Sequence, residues 1–233
     1  MLSDLDIMGR HVRALFTHDD RGRLRRVNEP DGAEAPHFFL GRTAAGHLWR
    51  FRFGLPQTLA GQLEAVCLRE SVADELGREP AHSTEYLRLL ETHAPVRKVW
   101  TGPTYLFPDS VARPSREAFM VTSENADVLR GGFADWIADV PRSRPFLAVL
   151  HEGQVVSICC SVRVTSEAHE AGVETLAAHR GKGYAADVAA RWAEEVRKIG
   201  CTPLYSTSWE NAASQRVARR LGLRQYGASF HVS

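Results

Sequence analysis

The segment His179–Ala185, which reads HRGKGYA, restricts the fold of this chain more than any other stretch. Residues 171–176 before it predict a short strand. Residues 185–199 after it carry apolar side chains every three or four positions, which predicts an amphipathic helix. Glycines let a backbone approach a ligand closely, and the unpaired N–H groups of a helix start attract anions. Arg180 and Lys182 add two positive charges, so we expect a site for a phosphate-bearing ligand.

Three kinds of phosphate-binding loop could correspond to this segment. A Walker loop requires four residues between its first glycine and a Gly-Lys-Ser/Thr sequence, which is missing here. The dinucleotide fingerprint fits Gly181, Gly183 and Ala186, but it opens a parallel sheet for which too few residues remain. The third pattern, Arg/Gln-x-x-Gly-x-Gly/Ala, is fulfilled by Arg180, Gly183 and Ala185. This third interpretation fits best.

A second motif follows the first. Residues 203–208 predict a strand, and the apolar spacing after them predicts a helix that a glycine ends. Four residues match an Asn, a small residue three positions later, and a Gly followed by an apolar residue: Asn211, Ser214, Gly222 and Leu223. The two motifs together resemble the GNAT superfamily of N-acetyltransferases, over roughly residues 116–233. In that family the glycine loop holds the pyrophosphate of acetyl-CoA.

Composition excludes several other classes of protein. Hydrophobic residues make up 44% of the chain and charged residues 24%, as in ordinary soluble globular proteins. The net charge of +1 argues against a nucleic-acid-binding surface. The N-terminus lacks the pattern of a secretion signal, and no apolar run is long enough to span a membrane. The four cysteines, which include no Cys-x-x-Cys, predict free thiols. We therefore expect a cytoplasmic protein with no nucleic-acid or membrane partner, of open oligomeric state.

The order of predicted elements indicates the fold class. We expect a mixed, mostly antiparallel GNAT-type α/β sheet with helices on both faces, preceded by a smaller α/β N-terminal region. Residues 146–162 predict a hairpin, and two short helices are expected within residues 123–138. A proline-containing linker divides the chain into residues 1–111, whose role is open, and residues 112–233, a GNAT-like acetyl-CoA-binding acetyltransferase domain.

The resemblance implies a set of residues that bind acetyl-CoA as co-substrate. These are Val173, Thr175, Arg180, Gly181, Lys182, Gly183, Tyr184, Ala185, Asn211 and Ser214. Val173 and Thr175 lie where the family's strand hydrogen-bonds the pantetheine, and Asn211 either faces the pantetheine arm, caps the helix, or does both. Arg216 and Arg220 could reach the 3′-phosphate of CoA, although solvated helix surface is the stronger interpretation. No metal is expected.

The reaction that the resemblance implies requires a base that accepts the proton of the amine. Glu170 and Glu174 share one face of the predicted strand, because side chains alternate along a strand, and His169 is on the other face. Either glutamate is a candidate base. Glu170 is preferred because it is farther from the pyrophosphate loop, and His169 is a third choice.

The acid that protonates the departing thiolate is not assigned. Many members of the family carry a tyrosine seven residues after the motif asparagine, and that position is Ala218 here. Ser214, Tyr184 or a water molecule are candidate substitutes. Alternatively, the thiolate leaves unaided, since the pKa of a comparable thiol is only about 8.5.

Two functions follow from these patterns. The first is the direct transfer of an acetyl group from acetyl-CoA to an amine of a small molecule or peptide, without a nucleophilic cysteine. The second is a non-catalytic acyl-CoA-binding or interaction module, which Ala218 and the unmatched N-terminal region make conceivable. The acceptor is not determined, because acceptor sites of the family lie in variable loops.

Overall fold

The computed structural model describes residues 2–72, 75–111 and 114–233. The chain divides into two compact units. One comprises Met1–Tyr105, Ser206–Asn211 and Gln225–Ser233, and the other comprises Leu106–Tyr205 and Ala212–Arg224. The boundary that the sequence predicts, between residues 111 and 112, falls at the second gap and so lies outside the described residues.

The elements are numbered in chain order. The α-helices are α1 (Asp4–Leu15), α2 (Gln57–Cys67), α3 (Ser83–Glu91), α4 (Tyr184–Lys198) and α5 (Ala212–Arg220). The strands are β1 (Phe16–His18), β2 (Leu24–Val27), β3 (Phe38–Thr43), β4 (Gly46–Phe51), β5 (Val99–Leu106), β6 (Ala118–Met120), β7 (Phe146–His151), β8 (Gln154–Val164), β9 (Ala168–Thr175), β10 (Thr202–Ser206) and β11 (Arg224–Val232). Short 3₁₀ helices lie at Ala126–Gly131, Ala134–Asp139 and Ala177–His179.

The first unit combines helices with an antiparallel sheet. A capping box starts α1: the Ser3 hydroxyl accepts a hydrogen bond from the Asp6 N–H, and the Asp6 carboxylate accepts one from the Ser3 N–H. Strands β3 and β4 form a hairpin, and β11 pairs antiparallel with β3. Phe38, Tyr86 and Phe230 pack together in a core to which α2 and α3 contribute.

The second unit has a sheet with helices on both faces. Strands β6, β7, β8 and β9 are antiparallel neighbours in this order, and β10 pairs with β9 in parallel. Ser161 accepts a hydrogen bond from Trp192 of α4, whereas Cys160 lies in an apolar cluster with residues of the 3₁₀ helices. Successive side chains of a strand point to opposite faces, so α4 and the 3₁₀ helices cover different faces of β8. The expected mixed, mostly antiparallel fold is confirmed.

The two helices expected within residues 123–138 are 3₁₀ helices instead of α-helices. The Thr122 N–H donates to the Asn125 side chain at 2.7 Å, which holds the chain in a turn before the first of them. Gly132 follows the first helix with a φ of 158° and interrupts the run. Each piece is therefore short, which favours the tighter 3₁₀ geometry.

A β-bulge interrupts β8 next to β9. Arg163 pairs with Glu170, and Val162 is the extra residue between two paired positions. The Val162 side chain lies over Gly172, since a Cβ added to that glycine would be 2.2 Å from Val162 Cγ1. The bulge thus depends on a residue without a side chain at position 172, and it brings Arg163 opposite Glu170.

We expect Gly172→Ala to destabilise the protein by about 1–3 kcal/mol, because the stiff Val162 side chain cannot move away without strain. Val162→Ala removes that clash. The double variant should therefore lose less stability than the sum of the losses in the two single variants. Urea unfolding of all four proteins measures the coupling. Additive effects would show that Val162 does not restrict position 172.

Candidate functional site

The parallel pairing of β9 with β10 ends early. Its register runs from Thr202 opposite Ala168 to Leu204 opposite Glu170, while β9 continues to Thr175. Backbone N–H and C=O groups on a strand edge need hydrogen-bond partners. The edge of β9 beyond Glu170 can therefore receive the amide groups of a bound ligand.

The glycine segment has the conformation that an anion site requires. Gly181 has a φ of 75° and Gly183 a φ of 92°, a left-handed region that favours glycine at both positions. Gly183 is the N-cap of α4, and its carbonyl accepts the N–H groups of Ala186 and Asp187. The N–H groups of Tyr184 and Ala185, the first two residues of α4, cannot have a partner within the helix and lie at the positive end of its dipole. The loop between β9 and α4 is thus suited to phosphate.

Positive side chains surround this helix start. Arg180 and Lys182 are exposed, and Arg180 Nε donates to the Thr175 carbonyl at 3.1 Å. Arg220, at the end of α5, lies against Gly183: a Cβ added there would be 2.7 Å from Arg220 Nη2. Arg220, which the sequence analysis treats as solvated surface, therefore adds a third cation to the loop.

Tyr184 occupies a different environment from the charged loop residues. Its side chain is buried, and its ring lies 5.8 Å from the rings of both His151 and His179. The Arg116 guanidinium lies 4.2 Å above the Tyr184 ring and pairs with buried Asp187 at 2.7 Å. These contacts fix the first turn of α4. Ala185, in the same turn, is half-buried.

The second motif forms β10 and α5. The Tyr205 hydroxyl is 2.6 Å from Ser214 Oγ, which ties the strand to the helix within the second unit. The Leu223 N–H bonds to the Ala218 carbonyl around Gly222, whose φ is 64°, so the helix ends in the glycine motif that the sequence predicts. Asn211 directly precedes α5, is exposed, and its N–H donates to the Ser208 carbonyl at 3.1 Å.

The two candidate bases differ in environment. Glu170 is 2% exposed and stands opposite Arg163, which is half-buried. Glu174 is exposed and accepts a hydrogen bond from the Trp136 indole at 2.8 Å. Glu170 is thus shielded from solvent at the last position where β9 pairs with β10, whereas Glu174 lies beyond that pairing and is exposed.

The other predicted residues of β9 are positioned by β8. Val173 pairs with Cys159, and the Thr175 hydroxyl is 2.8 Å from the hydroxyl of Ser157. Both residues of β9 are half-buried. They lie on the part of β9 that continues past its pairing with β10.

His169 is part of a buried network on the α4 face of the sheet. Ser161 Oγ accepts a hydrogen bond from Trp192 Nε1 at 3.1 Å and is 2.8 Å from His169 Nδ1. The neutral imidazole can be donor or acceptor in this bond, according to its tautomer. Burial lowers the pKa of His169, which favours this neutral form. His169 anchors α4 to the sheet.

The cysteines are free thiols, as expected from their spacing. Cys159 and Cys160 are fully buried, and burial raises the pKa of both thiols above the ordinary value. A buried, protonated thiol is a poor nucleophile. Neither residue is placed to form an acyl-enzyme.

The part of the chain that the structure describes contains no group of His, Cys, Asp or Glu side chains arranged to hold a metal ion. In that same part, none of the helices combines the length and the apolar character that a bilayer crossing requires.

Sequence reasoning does not assign Trp136 or Arg163 to the site. Trp136 reaches Glu174 from a distant segment of the chain, and no local pattern signals this contact. Arg163 stands opposite Glu170 only because the bulge at Val162 shifts the register by one residue. A bulge of this kind leaves no reliable mark in a single sequence.

Residues 147–228 match a family model described as GNAT acetyltransferase. This match confirms, over those residues, the resemblance to the GNAT superfamily that the two motifs indicate. A comparison with curated proteins yields no match.

Several solved structures are distantly similar to the chain. The alignment with a GNAT-family protein from Novosphingobium aromaticivorans shows 19% identity and spans 59% of this chain and 65% of that protein, with a TM-score of 0.49. An acetyltransferase of the GNAT family from Colwellia psychrerythraea is 15% identical, with coverages of 80% and 76% and a TM-score of 0.49. A GCN5-related N-acetyltransferase-like protein from Streptococcus suis is 16% identical, with coverages of 99% and 100% and a TM-score of 0.48. Likeness at this level does not bear on the substrate.

The buried His169 predicts a pH dependence of stability. Its pKa is lowered in the folded state relative to about 6.5 in the unfolded chain, so the unfolded state binds more protons below that pH. Stability should therefore fall as the pH drops below about 6.5. In His169→Gln, urea midpoints at pH 7.5 and 5.5 should differ less than in the wild type. His18 and His37, whose pKa values burial also lowers, should retain part of the dependence. An unchanged difference would contradict the assignment to His169.

Proposed function

We propose that this chain is an acetyl-CoA-dependent N-acetyltransferase that moves an acetyl group directly to an amine of a small molecule or peptide. One observation carries the proposal: a helix start suited to anions follows the strand β9 after a short 3₁₀ helix and the glycine segment, and the pairing of β9 with β10 stops at Glu170. A long ligand with a phosphate end and an amide-containing arm fits this combination. The match of residues 147–228 to a GNAT acetyltransferase family model supports it.

In this proposal the loop binds the phosphate end of acetyl-CoA. The N–H groups of Gly183, Tyr184 and Ala185 would donate to pyrophosphate oxygens, and Arg180 and Lys182 would supply opposite charge. The positive φ of Gly181 gives the loop a turn that favours glycine at this position. Arg220 lies against Gly183 and adds charge at the same place.

The pantetheine arm would lie along the free edge of β9. Val173 and Thr175 offer backbone groups there, at a distance of several residues from the phosphate loop. Asn211 and Ser214, before and within α5, are the proposed polar contacts from the other motif.

The chemistry that we propose uses Glu170 as the base. The amine nitrogen attacks the thioester carbon, its proton passes to the Glu170 carboxylate directly or through water, and the C–S bond breaks with its electron pair on sulfur. Burial of Glu170 keeps bulk water from competing for this proton. The buried Cys159 and Cys160 favour direct transfer over an acyl-enzyme, and free thiols fit the proposed cytoplasmic location.

Binding and turnover test the proposal together. The wild type should bind acetyl-CoA in calorimetry and release free CoA when an amine panel is added. Lys182→Glu reverses a charge at the loop and should weaken acetyl-CoA binding by about 10- to 100-fold, the effect of losing a charge-assisted hydrogen bond. Lys198→Glu, the same exchange at the far end of α4, is the matched control and should bind normally.

Equal affinity of the two variants would disprove phosphate binding at the loop. Binding of acetyl-CoA without turnover of any primary or secondary amine would instead favour the non-catalytic acyl-CoA-binding module.

The two glutamates give a matched pair for the catalytic base. Glu170→Gln should lower kcat on the order of 10²–10⁴-fold with little change in the KM for acetyl-CoA, because the amide keeps the shape but not the basicity. Glu174→Gln should turn over close to the wild-type rate, since its exposed side chain can still accept the Trp136 hydrogen bond. Steady-state kinetics on folded variants measure both. Wild-type kcat in Glu170→Gln would remove this residue from the mechanism.

A further inference from the structure

The departing sulfur needs a proton, and Ala218 does not provide one. The position is fully buried and carries only a methyl group. A hydroxyl that lies near the opening between β9 and β10 could supply the proton instead. The structure has one such hydroxyl on β10, that of Tyr205, and one on α5, that of Ser214.

The Tyr205 hydroxyl and Ser214 Oγ are 2.6 Å apart, a short hydrogen bond between β10 and α5. Tyr205 is 3% exposed, and its ring packs edge-on against Phe107 with 6.3 Å between the ring centres. Ser214 is half-buried. The pair therefore has a fixed, buried end at Tyr205 and a more accessible end at Ser214.

The position of Tyr205 relative to Glu170 follows from the strand register. Leu204 is the last residue of β10 that pairs with β9, and its partner is Glu170. Tyr205 follows Leu204 in β10, so it is the first residue of β10 after the last one that pairs with β9. Directly paired residues share a face and successive residues alternate, so Tyr205 points to the face opposite Glu170. The base and the hydroxyl pair thus flank the opening from its two faces.

Tyr184, which the sequence offers as a candidate acid, is less suitable than Tyr205. Its ring is enclosed by His151, His179 and the Arg116 guanidinium at the start of α4. That location belongs to the phosphate loop, several residues away from the last pair of β9 and β10.

We propose that Tyr205 and Ser214 form a proton relay to the departing sulfur, an inference that rests on the proposed function. As the N–C bond forms and the C–S bond breaks, the Ser214 hydroxyl gives its proton to sulfur and takes one from Tyr205. The amine proton goes to Glu170, and solvent returns a proton to Tyr205 after release of CoA. Ser214 is the catalytic residue because it touches sulfur, whereas Tyr205 is a positioning residue that acts through it.

The first experiment removes the buried end of the relay. Tyr205→Phe should lower kcat on the order of 10²-fold, the lower part of the range for general acid catalysis, because a thiolate is already a fair leaving group. The Kd of acetyl-CoA should not change, and the solvent deuterium isotope effect on kcat should decrease. Tyr86→Phe removes a tyrosine hydroxyl that bonds to Glu70 in the first unit. This control should keep the wild-type kcat.

The second experiment tests whether the two hydroxyls act as a unit. Ser214→Ala should reproduce the loss of kcat, Ser214→Thr should retain most of it, and the double variant Tyr205→Phe/Ser214→Ala should be no slower than the slower single variant. Thermal unfolding of each variant separates this effect from a loss of folded protein.

Several outcomes would overturn the relay. Wild-type kcat in Tyr205→Phe, a change confined to the Kd of acetyl-CoA, or multiplicative effects in the double variant would each show that the bond only anchors α5. A wild type that binds acetyl-CoA but transfers nothing to any amine would overturn the proposed function, and the relay with it, before any variant is made.

Discussion

The parallel pairing of β9 with β10, which ends at Glu170 and Leu204, is the constraint on which the rest of the second unit depends. A strand that continues past its partner leaves backbone N–H and C=O groups that solvent or a ligand must satisfy. The same interruption sets the positions of the side chains around it. Glu170 is held at the last pair, and Tyr205 directly follows that pair on the other strand.

The loop and α4 are held in place by contacts that do not involve the proposed ligand. Trp192 and His169 both bond to Ser161, which fixes the helix against the sheet. At its start, Asp187 accepts hydrogen bonds from Ser115 and Arg116. The helix start therefore presents its N–H groups in a fixed geometry, which limits the ordering that a ligand must cause on binding.

Local features of this structure could be predicted from the sequence, and long-range ones could not. The glycine loop and the end of α5 at Gly222 depend on φ values that few residues other than glycine adopt, so they leave a clear mark. The contacts Trp136–Glu174 and Tyr205–Ser214 join segments whose proximity the fold determines. The alternation along β9 correctly places Glu170 and Glu174 on one face, but it does not reveal which of them is buried.

The chain returns to the first unit twice, at residues 206–211 and again at residues 225–233. Residues 225–233 belong to that unit, where β11 pairs with β3, and Phe230 and Val232 join the core around Phe38. Neither unit therefore corresponds to a continuous piece of the chain. During synthesis on the ribosome, the edge of β3 that pairs with β11 stays unpaired until residues 224–232 have emerged. Unpaired strand edges favour aggregation, so a chaperone that covers this edge would protect the nascent chain.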